Sequence, residues 1–281
     1  MRWVKMDDEY LQTLDFVAFD TETTGLWAPS NRIVEVGAVK FRLGNSRVER
    51  FQSLVNPERH IPVETVRVHR ITDTMVKDAQ TVKPVLEQFF DFCGKEAVLI
   101  AHNAPFDISF VGCELERVGM SLPSNMILDT VDICRAYHPG LDSYSLLSLT
   151  QQFGISKTQS HRASDDAALV WKLFSHVSEE FPFIENERDF RRAFTFYSMS
   201  DWRGETRELP HEFSDISLAI KEGLTLEIVY ASHRRPPEAQ TIRPLRIHAL
   251  KSALYIAAFC EKTQEERTFR LDRIKSFRLL R

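Results

Sequence analysis

The sequence predicts an α/β domain built on a mixed sheet, followed by a small all-β domain. Three observations predict it. Apolar strand-like runs at Phe16–Phe19 and Ala97–Ala101 alternate with helix-like stretches across residues 10–178. Five short strand-like runs crowd into residues 224–280, a spacing that suggests a small barrel. Charge divides the same way: residues 211–281 hold 13 Lys and Arg against 9 Asp and Glu, in a chain whose net charge is −4. A basic segment on an acidic body points to two domains and to a polyanionic partner.

Taken in order, Phe16 to Phe19 reads as a buried strand that runs into Asp20-Thr21-Glu22-Thr23-Thr24-Gly25-Leu26. Ile33 to Phe41 and Arg47 to Val55 read as a hairpin across Leu43-Gly44-Asn45-Ser46. Pro57 and Pro62 punctuate a loop region that carries His60 and His69. Pro84 to Cys93 reads as a helix and Ala97 to Ala101 as a second apolar strand. Pro105 opens a helix, where its missing N–H leaves nothing unpaired, and Gly119 stops it. Met126 to Val131 reads as a strand; Tyr144 to Phe153 and Ala163 to His176 read as helices. Residues 179–212, with Gly204 and Pro210, read as a linker that packs in part. Ser214 to Glu222 reads as a helix. Leu224 to Tyr230, Thr241 to His248, Leu254 to Cys260, Arg267 to Ile274 and Ser276 to Leu280 read as strands.

No uninterrupted run of 18 apolar residues exists, so no membrane span is expected. The start turns acidic at Asp7-Asp8-Glu9 without an apolar core, and no signal peptide is expected. Cys93, Cys113, Cys134 and Cys260 lie far apart and form no CxxC pair. Structural zinc and a disulfide framework are not expected, and a cytoplasmic location fits.

Three short segments carry chemistry. In an extended chain residues i and i+2 share a face, so Asp20 and Glu22 point the same way at the exit of their strand. Two carboxylates held together repel unless a cation lies between them, and oxygen-only ligands favour Mg²⁺ or Mn²⁺ over zinc. A strand ending in a solvated acidic turn is the plain alternative. The second segment is His102-Asn103-Ala104-Pro105-Phe106-Asp107, whose acid falls in the first turn of a helix, beside free N–H groups. The third is His161-Arg162-Ala163-Ser164-Asp165-Asp166. His161 and Asp166 meet only if His161 lies on the loop before the helix.

In order and spacing these segments resemble the DEDDh family of 3′–5′ exonucleases, the DnaQ-like group, over residues 14–178. Val68-His69-Arg70-Ile71-Thr72-Asp73 and Leu128-Asp129-Thr130 are similar to the intervening parts of that family. The resemblance implies an RNase H-like fold and hydrolysis of phosphodiester bonds at single-stranded DNA or RNA 3′ ends, with two Mg²⁺ or Mn²⁺ ions. It implies that Asp20, Glu22, Asp107 and Asp166 are metal ligands and catalytic residues, and that His161 is the general base. Thr21, Thr23, Leu26, His69, Asn103 and Phe106 are then candidates for contact with the terminal nucleotides. Leu26 and Phe106 are also readable as core residues.

Residues 213–281 resemble a WYL domain, on Ile242-Arg243-Pro244, Leu254-Tyr255-Ile256-Ala257-Ala258-Phe259-Cys260 and Arg267-Thr268-Phe269-Arg270-Leu271-Asp272-Arg273-Ile274. Leu254-Tyr255-Ile256 departs from the naming triplet in lacking its tryptophan. The resemblance implies an SH3-like barrel that binds nucleic acid or a regulatory ligand through a basic patch, here Arg243, Tyr255, Arg267, Arg270 and Arg273. Strand alternation sets Arg267 and Arg273 on one face with Phe269 and Leu271, and Arg270 on the other. An alternative function is a nucleic-acid sensor in which the exonuclease fold only binds. The filled catalytic set, with a histidine that a pure binder does not need, argues for the enzyme.

Overall fold

The computed structural model describes residues 9–203, 209, 213–231, 236–250, 253–263 and 265–280. They form two compact units, residues 1–25 with 32–202 and residues 26–31 with 203–281.

The first unit runs α1 (Glu9–Thr13), β1 (Phe16–Thr23), β2 (Ile33–Phe41), β3 (Glu49–Leu54), α2 (Val63–His69), α3 (Asp73–Val76) and α4 (Val82–Cys93). It continues with β4 (Val98–Ala101), α5 (Ala104–Arg117), β5 (Ile127–Asp129), α6 (Thr130–Tyr137), α7 (Leu146–Gln152), α8 (Ala163–Val177) and α9 (Glu187–Ala193). The sheet order is β3-β2-β1-β4-β5. β1 and β2 pair antiparallel, as do β2 and β3, while β4 runs parallel to both β1 and β5. This is the expected mixed sheet with flanking helices.

Both faces of β1 are covered, which is why its run is apolar throughout. Phe16 and Ala18 face a core with Ile100, Val170, Leu173 and Phe174. Phe19 points the other way and packs on Phe89 of α4, with ring centroids 5.7 Å apart. Asp20 and Glu22 therefore continue the face that Phe16 and Ala18 present to α8. The register sets Asp20 opposite Gly37 and Glu22 opposite Glu35.

Two expectations change in this unit. The loop carrying His60 and His69 is mostly helical, since Pro62 starts α2 and Thr72 starts α3. The β-branched residues of Val63-Glu64-Thr65-Val66 hide that helix in the sequence. The strand expected at Met126–Val131 ends at Asp129, whose carboxylate accepts a hydrogen bond from Val131 N at 2.8 Å and caps α6. In the stretch read as a linker, Phe181, Ile184 and Phe190 belong to the α8 core. Tyr197 exchanges backbone hydrogen bonds with Ile127 at 2.8 and 2.9 Å, adding a bridge to β5. Gly204 and Pro210 lie outside the described residues.

The second unit holds α10 (Ser214–Glu222), β6 (Thr225–Tyr230), β7 (Glu238–Leu250), β8 (Ala253–Cys260), β9 (Glu265–Arg270) and β10 (Ile274–Leu280). They make a five-stranded antiparallel sheet in the order β10-β6-β7-β8-β9, an open ladder among the described residues. Ile216 and Ala219 of α10 close a core with Leu226, Ile228, Ile242, Ile256 and Phe269. The strand expected from Arg267 to Ile274 stops at Arg270, and Leu271–Arg273 form a 3-10 turn. Arg273 thus leaves the alternation that would have paired it with Arg267. No helix among the described residues is long and apolar enough to cross a membrane.

Candidate active site

β1, α5 and α8 bring the three segments together. A carboxylate oxygen from each of Asp20, Glu22 and Asp166 lies within 4.8 Å of the others. Asp166 sits in the first turn of α8, almost fully buried, and its Oδ2 accepts a hydrogen bond from Gln159 Nε2 at 2.5 Å. Its Oδ1 is buried and accepts no hydrogen bond among the described residues. Asp107 is buried at the start of α5, where its Oδ1 accepts from the Thr21 N–H at 3.0 Å and the Thr21 hydroxyl at 2.7 Å. Alternation along β1 explains this contact: Thr21 lies between the two acids and points to the α5 side.

The acids crowd one another in a water-poor place. Burial, then the charges of Asp107, Glu22, Asp166 and Glu35, raise the Asp20 carboxyl well above the usual range. Burial, then Asp166, Glu35 and Asp107, push Glu22 up to about 9, against the pull of Arg162. Burial pushes Asp107 up to about 7 although the Thr21 bonds hold it down. Burial also raises Asp166, with Gln159 working in the opposite direction. Groups that resist losing protons in isolation become good ligands once a divalent charge enters, because that charge inverts the local balance. The clustered oxygens, the unpartnered Asp166 Oδ1 and the all-oxygen donor set fit Mg²⁺ or Mn²⁺.

His161 stands on the loop before α8, with a left-handed φ of 54°. Its side chain is 47% exposed, and Nδ1 lies 4.0 Å from Asp166 Oδ2.

Beside Asp20 opens a cavity of about 580 Å³, lined in part by His102, Asn103, Arg135, Tyr144 and Gln159. Asn103 is exposed there, with φ 64°. His102 is a wall rather than an acid–base group: Nδ1 meets Thr130 Oγ1 at 2.8 Å and Nε2 meets the Tyr144 carbonyl at 2.9 Å. Burial lowers its pKa to about 4.

The remaining candidates divide. Leu26 is 88% exposed. Phe106 is half-buried, its ring tilted against Phe110 with centroids 4.9 Å apart. Thr21 and Thr23 are buried, and their hydroxyls are committed to Asp107 and to the Gly25 carbonyl, so only their backbone can face a ligand. His69 is only 2% exposed, and its Nδ1 accepts from Ile71 N at 2.9 Å. Its Nε2 is buried without a hydrogen-bond partner among the described residues. In the second unit, register puts Arg243, Tyr255 and Arg270 on one face of the sheet and Arg267 on the other. Arg243 is exposed over the Phe259 ring, Arg267 lies over Phe269, and Arg270 pairs with Asp272 at 2.8 Å.

Sequence reasoning passed over Glu35, Arg162, Gln159, Arg135 and Tyr144. Only Glu35 carries a readable signal. An acid in the middle of the otherwise apolar run Ile33-Val34-Glu35-Val36-Gly37-Ala38-Val39 must find a partner once that strand is buried.

Comparisons with known proteins assign a family to each part of the chain. A family model described as an exonuclease matches residues 17–174, and a WYL domain model matches residues 211–279. The DNA polymerase III subunit epsilon of Treponema pallidum is 40% identical over 163 residues, which are 57% of this chain and 74% of that protein. The PolC-type DNA polymerase III of Oceanobacillus iheyensis is 38% identical over 177 residues, and this chain spans only 12% of its length. The nuclease domain of 3′hExo, a DEDDh family member whose crystal structure holds rAMP, shares the fold. Its TM-score is 0.53, at 14% identity over 59% of this chain and 92% of that one.

Proposed function

Because the chain belongs to the exonuclease family and joins a DnaQ-like exonuclease domain to a WYL domain, we propose that it removes nucleotides from the 3′ ends of single-stranded DNA or RNA. The observation that carries this reading is the triangle of Asp20, Glu22 and Asp166, with His161 at its edge. Asp20, Glu22 and Asp166 would hold one Mg²⁺ or Mn²⁺, and Asp107 would help to hold a second. The bound cations supply the charge that activates the attacking water and stabilises the leaving oxygen. His161, in its neutral form, accepts the proton of that water. Thr21 keeps Asp107 aimed at the site through its two hydrogen bonds. The cavity between Asn103, Arg135 and Tyr144 takes the nucleotides upstream of the terminal one, with Arg135 facing a phosphate and Tyr144 a base.

The C-terminal sheet, as an SH3-like barrel, binds nucleic acid or a regulatory ligand on the face that carries Arg243, Tyr255 and Arg270. A reducing cytoplasm suits four buried thiols. The test is a 5′-labelled strand, as DNA and as RNA, incubated with Mg²⁺ or Mn²⁺. A ladder shortening from the 3′ end supports the reading and names the substrate. No shortening of either strand overturns it.

A further inference from the structure

The geometry points to Glu35 and Arg162 as positioning residues that hold His161 over the acid triangle. Glu35 is fully buried on β2, directly across from Glu22. Like charges facing each other across a ladder destabilise it, so Glu35 needs a cation of its own. Arg162 supplies it through a two-pronged contact: Nε donates to Oε2 at 3.0 Å and Nη2 to Oε1 at 2.5 Å. Oε2 also accepts from the Ala163 N–H at 2.9 Å, and Oε1 from Gln52 Nε2 at 2.8 Å. One carboxylate on β2 thus receives the side chain and the following backbone of the residue next to His161. Ala163 N is among the N–H groups at the start of α8 that the helix itself cannot satisfy, so Glu35 caps α8 from outside.

Two further features make this contact a clamp. Gly37 is two residues along β2 on the same face, and a Cβ there would lie 2.2 Å from the Ala163 carbonyl carbon. The start of α8 therefore rests directly on the strand backbone, opposite Asp20. His161 itself has a left-handed φ and a half-exposed ring whose one ionic contact is long. A residue in that backbone region keeps it only when its surroundings enforce it. The enforcement comes from Arg162 and Ala163, through Glu35. The carboxylate is saturated by four hydrogen bonds, so it has no free lone pair in position to act as a further metal ligand.

This inference rests on the assignment of His161 as the base, and the experiment separates the two. Full-length chain, a 5′-labelled single strand and Mn²⁺ are used for Glu35→Gln, His161→Ala and the double variant. A misplacement of about 1 Å can cost up to roughly a hundredfold, so Glu35→Gln is expected to lower kcat about thirtyfold. KM for the strand should stay within about twofold. On the His161→Ala background, Glu35→Gln should remove less than about a further twofold, because both changes act through one imidazole. Where His161→Ala is itself impaired, full multiplication of the two losses overturns the proposal, as does an unchanged kcat in the single variant. Arg162→Lys keeps the charge and loses the fork; a kcat loss of about fivefold is expected, and it serves in place of Glu35→Gln should that variant fail to fold. The His161 ring resonance is read in parallel. Its displacement in either variant supports the clamp even if His161→Ala turns out fully active, which would sink only the base assignment. An undisturbed resonance overturns the clamp.

Discussion

Two carboxylates face each other across β1 and β2 and have opposite fates. Glu22 belongs to a cluster of acids that crowd one another, and burial with neighbouring charge pushes it up to about 9. Glu35, opposite it, is more deeply buried, and burial works to raise it too. Yet hydrogen bonds from Arg162, Gln52 and Ala163 outweigh burial and hold Glu35 below the usual carboxylate range. The difference teaches that burial and residue type do not make a metal ligand. What does is a lone pair left without a donor, as at Asp166 Oδ1. The sites are neighbours on one sheet face, so each can be broken without removing the other.

The largest expected effect is on the unsatisfied side. Asp20→Asn should lower turnover by at least about a thousandfold, the scale lost when transition-state charge is left unsupported. In chelator its Tm should match or exceed that of the wild type, since the change removes repulsion. A lower Tm would mean that Asp20 is part of the scaffold.

On the satisfied side the sign of the Tm change reverses. Glu35→Ala takes the acceptor away from the half-buried Arg162 guanidinium and from the Ala163 N–H, a loss of about 2 kcal/mol. Calorimetry should show a fall of several degrees. Gly37→Ala drives a methyl into the Ala163 backbone at the same junction and should cost about 2 kcal/mol, the range for overpacking. A Tm equal to that of the wild type would show that α8 can lift off the strand freely.

pH sharpens the contrast. The proton on Glu22 contributes stability that is fully present below about 4.5 and is lost as pH rises through about 9. Glu35 contributes the opposite limb, present above the usual carboxylate range and lost as pH falls through its lowered value. In chelator, Glu22→Gln should therefore flatten the alkaline loss of Tm, and Glu35→Gln the acid loss. Divalent cation should flatten the alkaline limb of the wild type as well. The smallest effect lies in the second unit. Arg243→Glu should weaken single-strand binding about threefold and lower its salt dependence by about one ion, as expected for one phosphate contact.

The sequence made the acids and His161 legible because each sits at a strand exit or helix start, where short-range order fixes its direction. The strand-to-helix pattern also carried the mixed sheet. What stayed hidden depends on residues far apart in the chain. Arg162 meets Glu35 across 127 positions, and Thr21 meets Asp107 across 86. No local pattern announces either meeting. The His69 Nδ1 and the Thr23 hydroxyl are each taken up by backbone two residues on, which residue type alone does not announce. Short elements such as α2 and α6 were masked by β-branched residues and by a strand that runs straight into its helix cap. In the last unit, the turn Leu271–Arg273 breaks an alternation that reads as continuous.

The most direct measurement is electron paramagnetic resonance of Mn²⁺ titrated into wild-type chain, Glu22→Gln and Glu35→Gln. Mn²⁺ binding should weaken by at least about tenfold in Glu22→Gln, the loss of one charged ligand, and stay within about twofold in Glu35→Gln. Equal weakening in both would contradict this, because the saturated carboxylate would then be holding the metal as well.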